Sequence, residues 1–412
     1  MRLEAERFWH QVAAVLTGSA VAQVIPVLGS LVLARLFLPS EFGLYATWQG
    51  IALFFAVAIT GRFEMALAMV SDGEPRKIAV LATLLTTVLA SGLLAIFVTV
   101  LYFLSPSWLQ QTPAILGAIA IPSAFLIASG QVWQSWAAAE GEYKKLSLMR
   151  IASALAITVA QIAIGLKWAS ATGLALGHLV GVSIGFLTAT IIKPMNGLPA
   201  NLAAGVLSFW TRYRRLPIIS LPADMINTAA AQLPLIIVTS RFGLEVSGYL
   251  ALSMRTLGAP IALLGRAVLD VFRRHAAVRW REGGECRSTY VQTFWVLSAG
   301  SIAAMSGLLW FGEDIFVLSF GERWRHAGVI AVWLLPMFML RFVASPLSYM
   351  FYLAEKQHID LIWQISLLGM TVATLTLPEN YSNALQGYSI GYSALYVVYL
   401  IISYRISLGK SR

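Results

Sequence analysis

The sequence predicts an all-α polytopic membrane protein: twelve transmembrane helices in two pseudo-symmetric six-helix lobes. Three observations lead there. The 412 residues are 58% hydrophobic and only 12% charged, with a mean hydropathy of +0.75, whereas soluble chains carry about 25% charged residues. The apolar residues fall in runs near the roughly 20 residues that a helix needs to cross a bilayer. Lipid offers no partner for backbone N–H and C=O groups, so each run must satisfy its own as a helix.

Charge, proline and glycine breaks place the spans at 10–36, 43–70, 78–104, 114–138, 148–167, 172–193, 216–240, 247–270, 289–311, 328–353, 361–377 and 384–404. Tryptophans 9, 108, 168, 210, 310 and 324 stand near span ends, where amphipathic rings sit at headgroup level. The seven opening residues, of mixed charge, lead into an apolar run too long for a signal-peptide core and without a small-residue cleavage site. They are expected to be retained.

Orientation follows from the connections. Both tails and the loops on their side hold 20 of the 29 Lys and Arg residues, against five on the other face (Arg35, Lys167, Arg241, Arg323 and Arg325). The asymmetry puts both termini in the cytoplasm. It also accounts for most of the formal charge of +10, so a nucleic-acid partner has no support. The single cysteine, Cys286, excludes an intrachain disulfide and a cysteine-type metal site.

The chain repeats. Arg35-Leu-Phe-Leu-Pro-Ser-Glu41-Phe-Gly43-Leu-Tyr45-Ala46 joins spans one and two, and Arg241-Phe-Gly-Leu-Glu245-Val-Ser-Gly248-Tyr249-Leu-Ala251 joins spans seven and eight. Ala139-Glu140 after the fourth span echoes Ala354-Glu355 after the tenth, and prolines recur at 26 and 234, 122 and 336. Two halves that both start in the cytoplasm make a parallel repeat about an axis along the membrane normal. The expected domains are an N-terminal lobe over 1–193, a C-terminal lobe over 216–412, and between them a cytoplasmic linker over 194–215. The linker's Leu207-Ser-Phe-Trp-Thr-Arg-Tyr-Arg-Arg215 suits an interfacial amphipathic helix.

Ionisable groups deep in a span are costly and mark interiors or wet cavities. Arg341 lies twelve residues from Leu353 and thirteen from Gly328, near the midplane and too deep to snorkel. Arg62 and Arg255 each fall about two turns inside a span by the helical rise, where cavity lining and a structural ion pair both remain open. Glu64 follows Arg62 at i+2, a spacing that turns helical side chains apart, so the two are not expected to pair. Asp224, with Asn227 and Gln232 nearby, is the candidate acid for responding to a proton or cation, and a helix–helix hydrogen bond is the competing role. His178, between Gly177 and Gly181, suits packing or proton relay. Arg266 and Asp270 read as interfacial. Three arginines against Glu64 and Asp224 leave a net positive interior, and guanidinium forks suit phosphate, which points to an anionic substrate.

No phosphate-binding Gly-x-x-x-x-Gly-Lys-Ser/Thr and no His-Glu-x-x-His occurs. Gly181-Val-Ser183-Ile-Gly185 fits the hydrolase elbow by letters, but that elbow needs a strand–turn–helix. Here it reads as small-residue helix packing. The loop Ser71-Asp-Gly-Glu-Pro-Arg-Lys77 lacks the Gly-x-x-x-Asp-Arg-x-Gly-Arg pattern of major-facilitator transporters.

With these residues in place, the sequence resembles the polysaccharide-transport branch of the MATE/flippase (MOP) superfamily, the Wzx-type flippases. The resemblance rests on the Arg35–Tyr45 junction, Thr60-Gly-Arg62-Phe-Glu64-Met-Ala-Leu with the Asp72 loop after it, the Arg241–Tyr249 junction and Val268-Leu-Asp-Val-Phe272. It implies a MOP/MATE-like fold of two lobes around a cleft that opens to each side in turn. It also implies a bacterial inner-membrane location and no enzymatic activity. The cargo would be undecaprenyl-pyrophosphate-linked oligosaccharide, moved to the periplasmic leaflet with H+ or Na+ as coupling ion and no other cofactor. Polymerase and chain-length machinery are the implied protein partners. Arg62 and Glu64 carry over by motif, while Asp224, Arg255, Arg341 and His178 rest on the physical reading alone.

Three other readings stay open. A drug or cation exporter of the superfamily would favour an apolar or acidic cavity. A polysaccharide polymerase would place arginines on a long outer loop, and the longest here is about 312–327. A peptidoglycan-precursor flippase would carry two further helices.

Overall fold

A computed structural model of the chain describes residues 2–104, 114–197, 199, 201–283 and 285–409, with the backbone alone at some helix positions, among them Trp9, Arg266 and Asp270. Trp108 lies outside the described residues. All regular structure among them is helical: α1 (Arg2–Leu36), α2 (Pro39–Ile59), α3 (Glu74–Leu104), α4 (Ala114–Ala139), α5 (Tyr143–Gly165), α6 (Ala171–Ile192), α7 (Leu202–Arg212), α8 (Leu221–Gly283), α9 (Arg287–Phe320), α10 (Arg325–Leu347), α11 (Tyr349–Leu353), α12 (Gln357–Thr376) and α13 (Tyr381–Ser407). Among the described residues, eleven helices are long and apolar enough to cross a bilayer, and one of them, 216–261, runs for 46 residues. That length serves two crossings. The break falls at Gly243, whose φ of 89° and ψ of 172° leave the helical region, so the expected seventh and eighth spans are the two arms of α8.

Four expected boundaries are corrected. The second span stops at Ile59 rather than 70, because Gly61 and Arg62 take positive φ and a 3-10 turn over Phe63–Ala68 replaces the helix. The eighth runs on past 270 to Gly283, and the ninth past 311 to Phe320 across a break at Phe311. The tenth is interrupted at Ser348, dividing α10 from α11.

The chain forms two compact units, Met1–Leu38 with Leu44–Gln232, and Pro39–Gly43 with Leu233–Arg412. In the first unit the tightest crossing is α5 on α6. Along α6, glycines 177, 181 and 185 bring the helix onto the α5 backbone; a Cβ at Gly177 would lie 2.6 Å from the Gln161 Cα. The Gly181–Gly185 motif is therefore a packing stripe, as its place in an apolar helix predicts.

The linker helix α7 buries Val206 and Phe209. Phe209 packs on Phe63 at 5.4 Å between ring centroids, and the Trp210 indole donates to Thr86 Oγ1 at 2.9 Å. These contacts fix the 3-10 turn. Its far end is closed by Arg76, which donates to the Leu67 and Val70 carbonyls at 3.1 and 2.7 Å and pairs with Asp72.

At the ends of α4 and α6, buried Lys193 lies 4.4 Å from the Trp136 ring centroid and binds Glu140 and Glu142, the latter at 2.6 Å. Burial pushes the Glu142 carboxyl up, but hydrogen bonds from Lys145 and Lys193 outweigh it and hold it below its ordinary value.

In the second unit, α10 belongs to the most enclosed span among the described residues. It packs on α9 and α13 and buries Leu334, Leu335, Met337, Phe338 and Phe342. Pro39–Gly43 opens α2 against the start of the second arm of α8, where a Cβ on either Gly43 or Gly248 would collide with the other segment's backbone. The two echoed junctions thus meet glycine to glycine.

The α5–α6 crossing gives a paired test. Gly177→Val should lower the thermal midpoint of the purified protein, since overpacking costs about 1–3 kcal/mol. Gly92→Ala, where a Cβ meets nothing within 4 Å, should hold or raise it.

Candidate functional site

The site in the first unit starts from the end of α2. Thr60 donates to the Val57 carbonyl at 3.1 Å and accepts from the Arg62 N–H at 3.2 Å, while Gly61 and Arg62 both turn left-handed at φ 58° and 60°. A non-glycine residue at that φ is uncommon and held by its surroundings. Here the holding contacts are ionic: Arg62 Nη1 lies 3.0 Å from Glu64 Oε1, and Arg62 Nε lies 2.7 Å from Asp224 Oδ2 on α8.

Two expectations are corrected by this geometry. Arg62 is not inside a helix but in the break that follows one. Glu64 is its partner despite the i+2 spacing, because that spacing separates side chains only on a regular helix. Glu64 is buried, and its second oxygen, Oε2, has no hydrogen-bond partner among the described residues. Asp224 is about one-third exposed. One guanidinium against two carboxylates gives the cluster a formal charge of −1, so Arg62 is compensated in excess and adds no free positive charge here. Asn227 and Gln232 do not join the three; Gln232 sits against Gly50.

His178 stands elsewhere in the same unit. It is buried on α6, with Nδ1 3.0 Å from the Tyr45 hydroxyl and the Trp48 ring edge-on at 5.7 Å.

In the second unit, Arg255 is half-buried on the second arm of α8. Arg341 is exposed on α10, its guanidinium 6.0 Å from the Phe338 ring centroid and within electrostatic reach of Tyr388 and Tyr396 on α13. Among the described residues no carboxylate pairs with it. The rings of Tyr388, Tyr392 and Tyr396 follow one another along α13, tilted, with centroids 4.9 and 5.7 Å apart, and Trp363 of α12 continues the row at 5.2 Å from Tyr396. The sequence reading missed this ladder, although its signal, tyrosines four apart, was present. It also counted Arg76 only as a topology charge.

Residues 32–329 match the family model described as "Polysaccharide biosynthesis protein". The chain belongs to that family. Among solved structures, the lipid II flippase MurJ in an inward closed conformation has a TM-score of 0.70 at 13% identity, covering 96% of this chain and 89% of that one. The MATE multidrug transporter DinF-BH has 0.62 at 15%, covering 95% and 94%. An inward-facing MATE multidrug resistance transporter of the MOP superfamily has 0.57 at 12%, covering 95% and 94%. At these identities the likeness is one of fold, and the fold is the MOP arrangement expected from the sequence. No curated protein matches the chain.

The ionic cluster orders a series of stabilities. Arg62→Ala strands a buried carboxylate, and breaking a buried pair costs about 3–5 kcal/mol, less for the part-exposed Asp224 arm. Thermal midpoints of the purified protein should therefore fall more for Arg62→Ala than for Asp224→Asn. Adding Glu64→Gln to Arg62→Ala should restore part of the loss.

Proposed function

We propose that the chain is a flippase that moves a lipid-linked oligosaccharide, built on undecaprenyl pyrophosphate, from the cytoplasmic to the periplasmic leaflet of a bacterial inner membrane. The charge asymmetry supports a cytoplasmic position for both termini. One observation carries the reading: in a family of polysaccharide biosynthesis, the most enclosed span holds a guanidinium with no carboxylate partner among the described residues. Arg341 lies sixteen residues from Arg325 and six from Leu347, the two ends of α10, about 24 and 9 Å along the helix, and the span runs on through α11 to Leu353. An isolated charge at that depth is retained for function. A pyrophosphate offers it bidentate, charge-assisted hydrogen bonds, and Tyr392, the half-buried member of the adjoining tyrosine row, offers a hydroxyl to the sugar. Arg255, half-buried in the same unit, is proposed as a second contact to the anion.

Arg62, Glu64 and Asp224 take a different role from the one their types first suggest. With two carboxylates on one arginine, the cluster is proposed as the coupling and gating element. A proton or Na+ taken up at Glu64 or Asp224 removes the excess negative charge and loosens the hold on Arg62. His178 is proposed as a further proton-responsive group through Tyr45. The same negative excess supports the runner-up, a cation exporter of the superfamily, because it would attract a cationic cargo. Arg341 argues against it. The polymerase and chain-length machinery that would consume the product are proposed as neighbours.

The test is made in cells lacking the chain, with lipid-linked pools and surface polymer measured together. Single lipid-linked repeats trapped on the cytoplasmic side, with surface polymer lost, are expected. Arg341→Glu should fail to restore polymer while reaching the membrane in normal amount, and Arg341→Lys should restore part of it. Single repeats that reach the outer face but stay unpolymerised would identify a polymerase instead.

A further inference from the structure

The first unit contains a cavity of about 260 Å³ that the proposed anion chemistry does not use. It lies between α2, α4, α5 and α6, and its depth can be read from the helices: Ser153 is ten residues from the start of α5 and His178 seven from the start of α6. At about 1.5 Å per residue, both lie well within the bilayer. The cavity is many times the roughly 30 Å³ share of one water and approaches the range of about 300–1,000 Å³ of small-molecule sites.

Its polar groups are Gln131, Gln134, Ser153 and His178, and no Asp, Glu, Lys or Arg is among the described residues that line it. Three of the four carry hydrogen-bonding capacity that no described residue meets. The Gln131 amide and the Ser153 hydroxyl make no hydrogen bond among the described residues. Gln134 accepts from the Arg150 guanidinium through Oε1 at 3.3 Å, which leaves both donors of its NH2 group unused. Gln131, Gln134 and Ser153 are half-buried, and three such groups facing one space offer a polar occupant several hydrogen bonds at once. The lining carries no charge of its own, and the Arg150 guanidinium behind Gln134 is engaged by Gln134 Oε1 and Ser19 Oγ, which argues against a phosphate or a cation, either of which would need a counter-charge at this depth. Phe186, Leu53 and Ile157 supply the rest of the wall. Neutral amide, hydroxyl and imidazole groups set among an aromatic ring and aliphatic surface match a sugar ring, which carries hydroxyls on its rim and C–H groups on its faces.

We propose that this cavity is a carbohydrate subsite that binds one uncharged pyranose ring of the cargo, separately from the groups that hold its pyrophosphate. The proposal rests on the flippase reading and deepens it. It predicts that the chain selects its saccharide, since a site built to hydrogen-bond hydroxyls strongly rejects analogues that lack them.

Gly130 allows a test that spares the fold. It lines the cavity, and a Cβ there meets nothing within 4 Å, so Gly130→Leu fills the space while exchanging glycine for a better helix former. Saturation-transfer NMR on the full-length purified protein, with methyl glycosides of glucose, galactose, mannose, rhamnose and N-acetylglucosamine as probes, should show transfer to at least one. That signal should fall about fivefold or more in both Gly130→Leu and Gln131→Leu, as expected when hydrogen bonds to hydroxyls are lost, with thermal midpoints no lower than the parent's. In cells, both variants should lose surface polymer. If no glycoside receives transfer, or Gly130→Leu leaves the signal unchanged, the cavity holds water only and the proposal falls. If both cavity variants make polymer normally while Arg341→Glu does not, the subsite is wrong and the flippase reading stands. If Arg341→Glu also makes polymer normally, both fail.

Discussion

Withdrawing an arginine side chain from water costs several kcal/mol even after relaxation, and the base of the first unit is organised around meeting that cost for Arg62. The guanidinium sits where α2 has ended, on a backbone turned left-handed, and binds Glu64 in the turn that follows and Asp224 at the start of α8. The neighbouring elements hold this arrangement. Phe209 of α7 fixes the turn at Phe63, and Arg76 takes the carbonyls at its other end. Without the ionic contacts, the left-handed Arg62 would keep only the backbone hydrogen bonds of the turn and its bond to Thr60, and the turn would lose its ionic link to α8.

The same contacts decide what the cluster can do. Counting charges along the chain gives a positive interior, but counting them by contact gives a cluster of charge −1 in one unit and, in the other, an arginine without a carboxylate partner among the described residues. Positive and negative capacities are therefore separated. Such a separation suits a carrier that must bind an anionic cargo and respond to a cation, because each event has its own groups. The uncharged cavity adds a third capacity within the first unit, for the part of a glycolipid headgroup that carries no charge.

Much of the fold was legible because lipid leaves few solutions: composition marked the spans, and the echoed junctions marked corresponding turns. The errors have a common cause. A hydrophobic run shows where a helix can lie, not where it must stop, so the run through 59–70 read as helix although Gly61 and Arg62 end it. The misreading of Arg62 and Glu64 followed directly, since i+2 geometry was applied to a helix that is absent. Arg341 could be singled out because an ionisable residue so far from both ends of a span has few innocent explanations. The tyrosines of α13 went unremarked because aromatic residues in a membrane helix are ordinary, and only their contiguous row beside Arg341 distinguishes them. The cavity could not have been found from sequence, since Gln131, Ser153 and His178 lie on three helices whose packing depends on the α6 glycines.

The central claim, movement of a lipid-linked saccharide across a bilayer by this chain alone, is tested most directly in vesicles. The purified protein would be reconstituted with a fluorescent polyprenyl-pyrophosphate saccharide under an imposed H+ or Na+ gradient, and an impermeant quencher added outside. Quenching that exceeds the outer-leaflet fraction, and that is lost with Arg341→Glu, is the predicted result. Quenching limited to the outer leaflet under both gradients, from protein shown to be folded, would contradict the account.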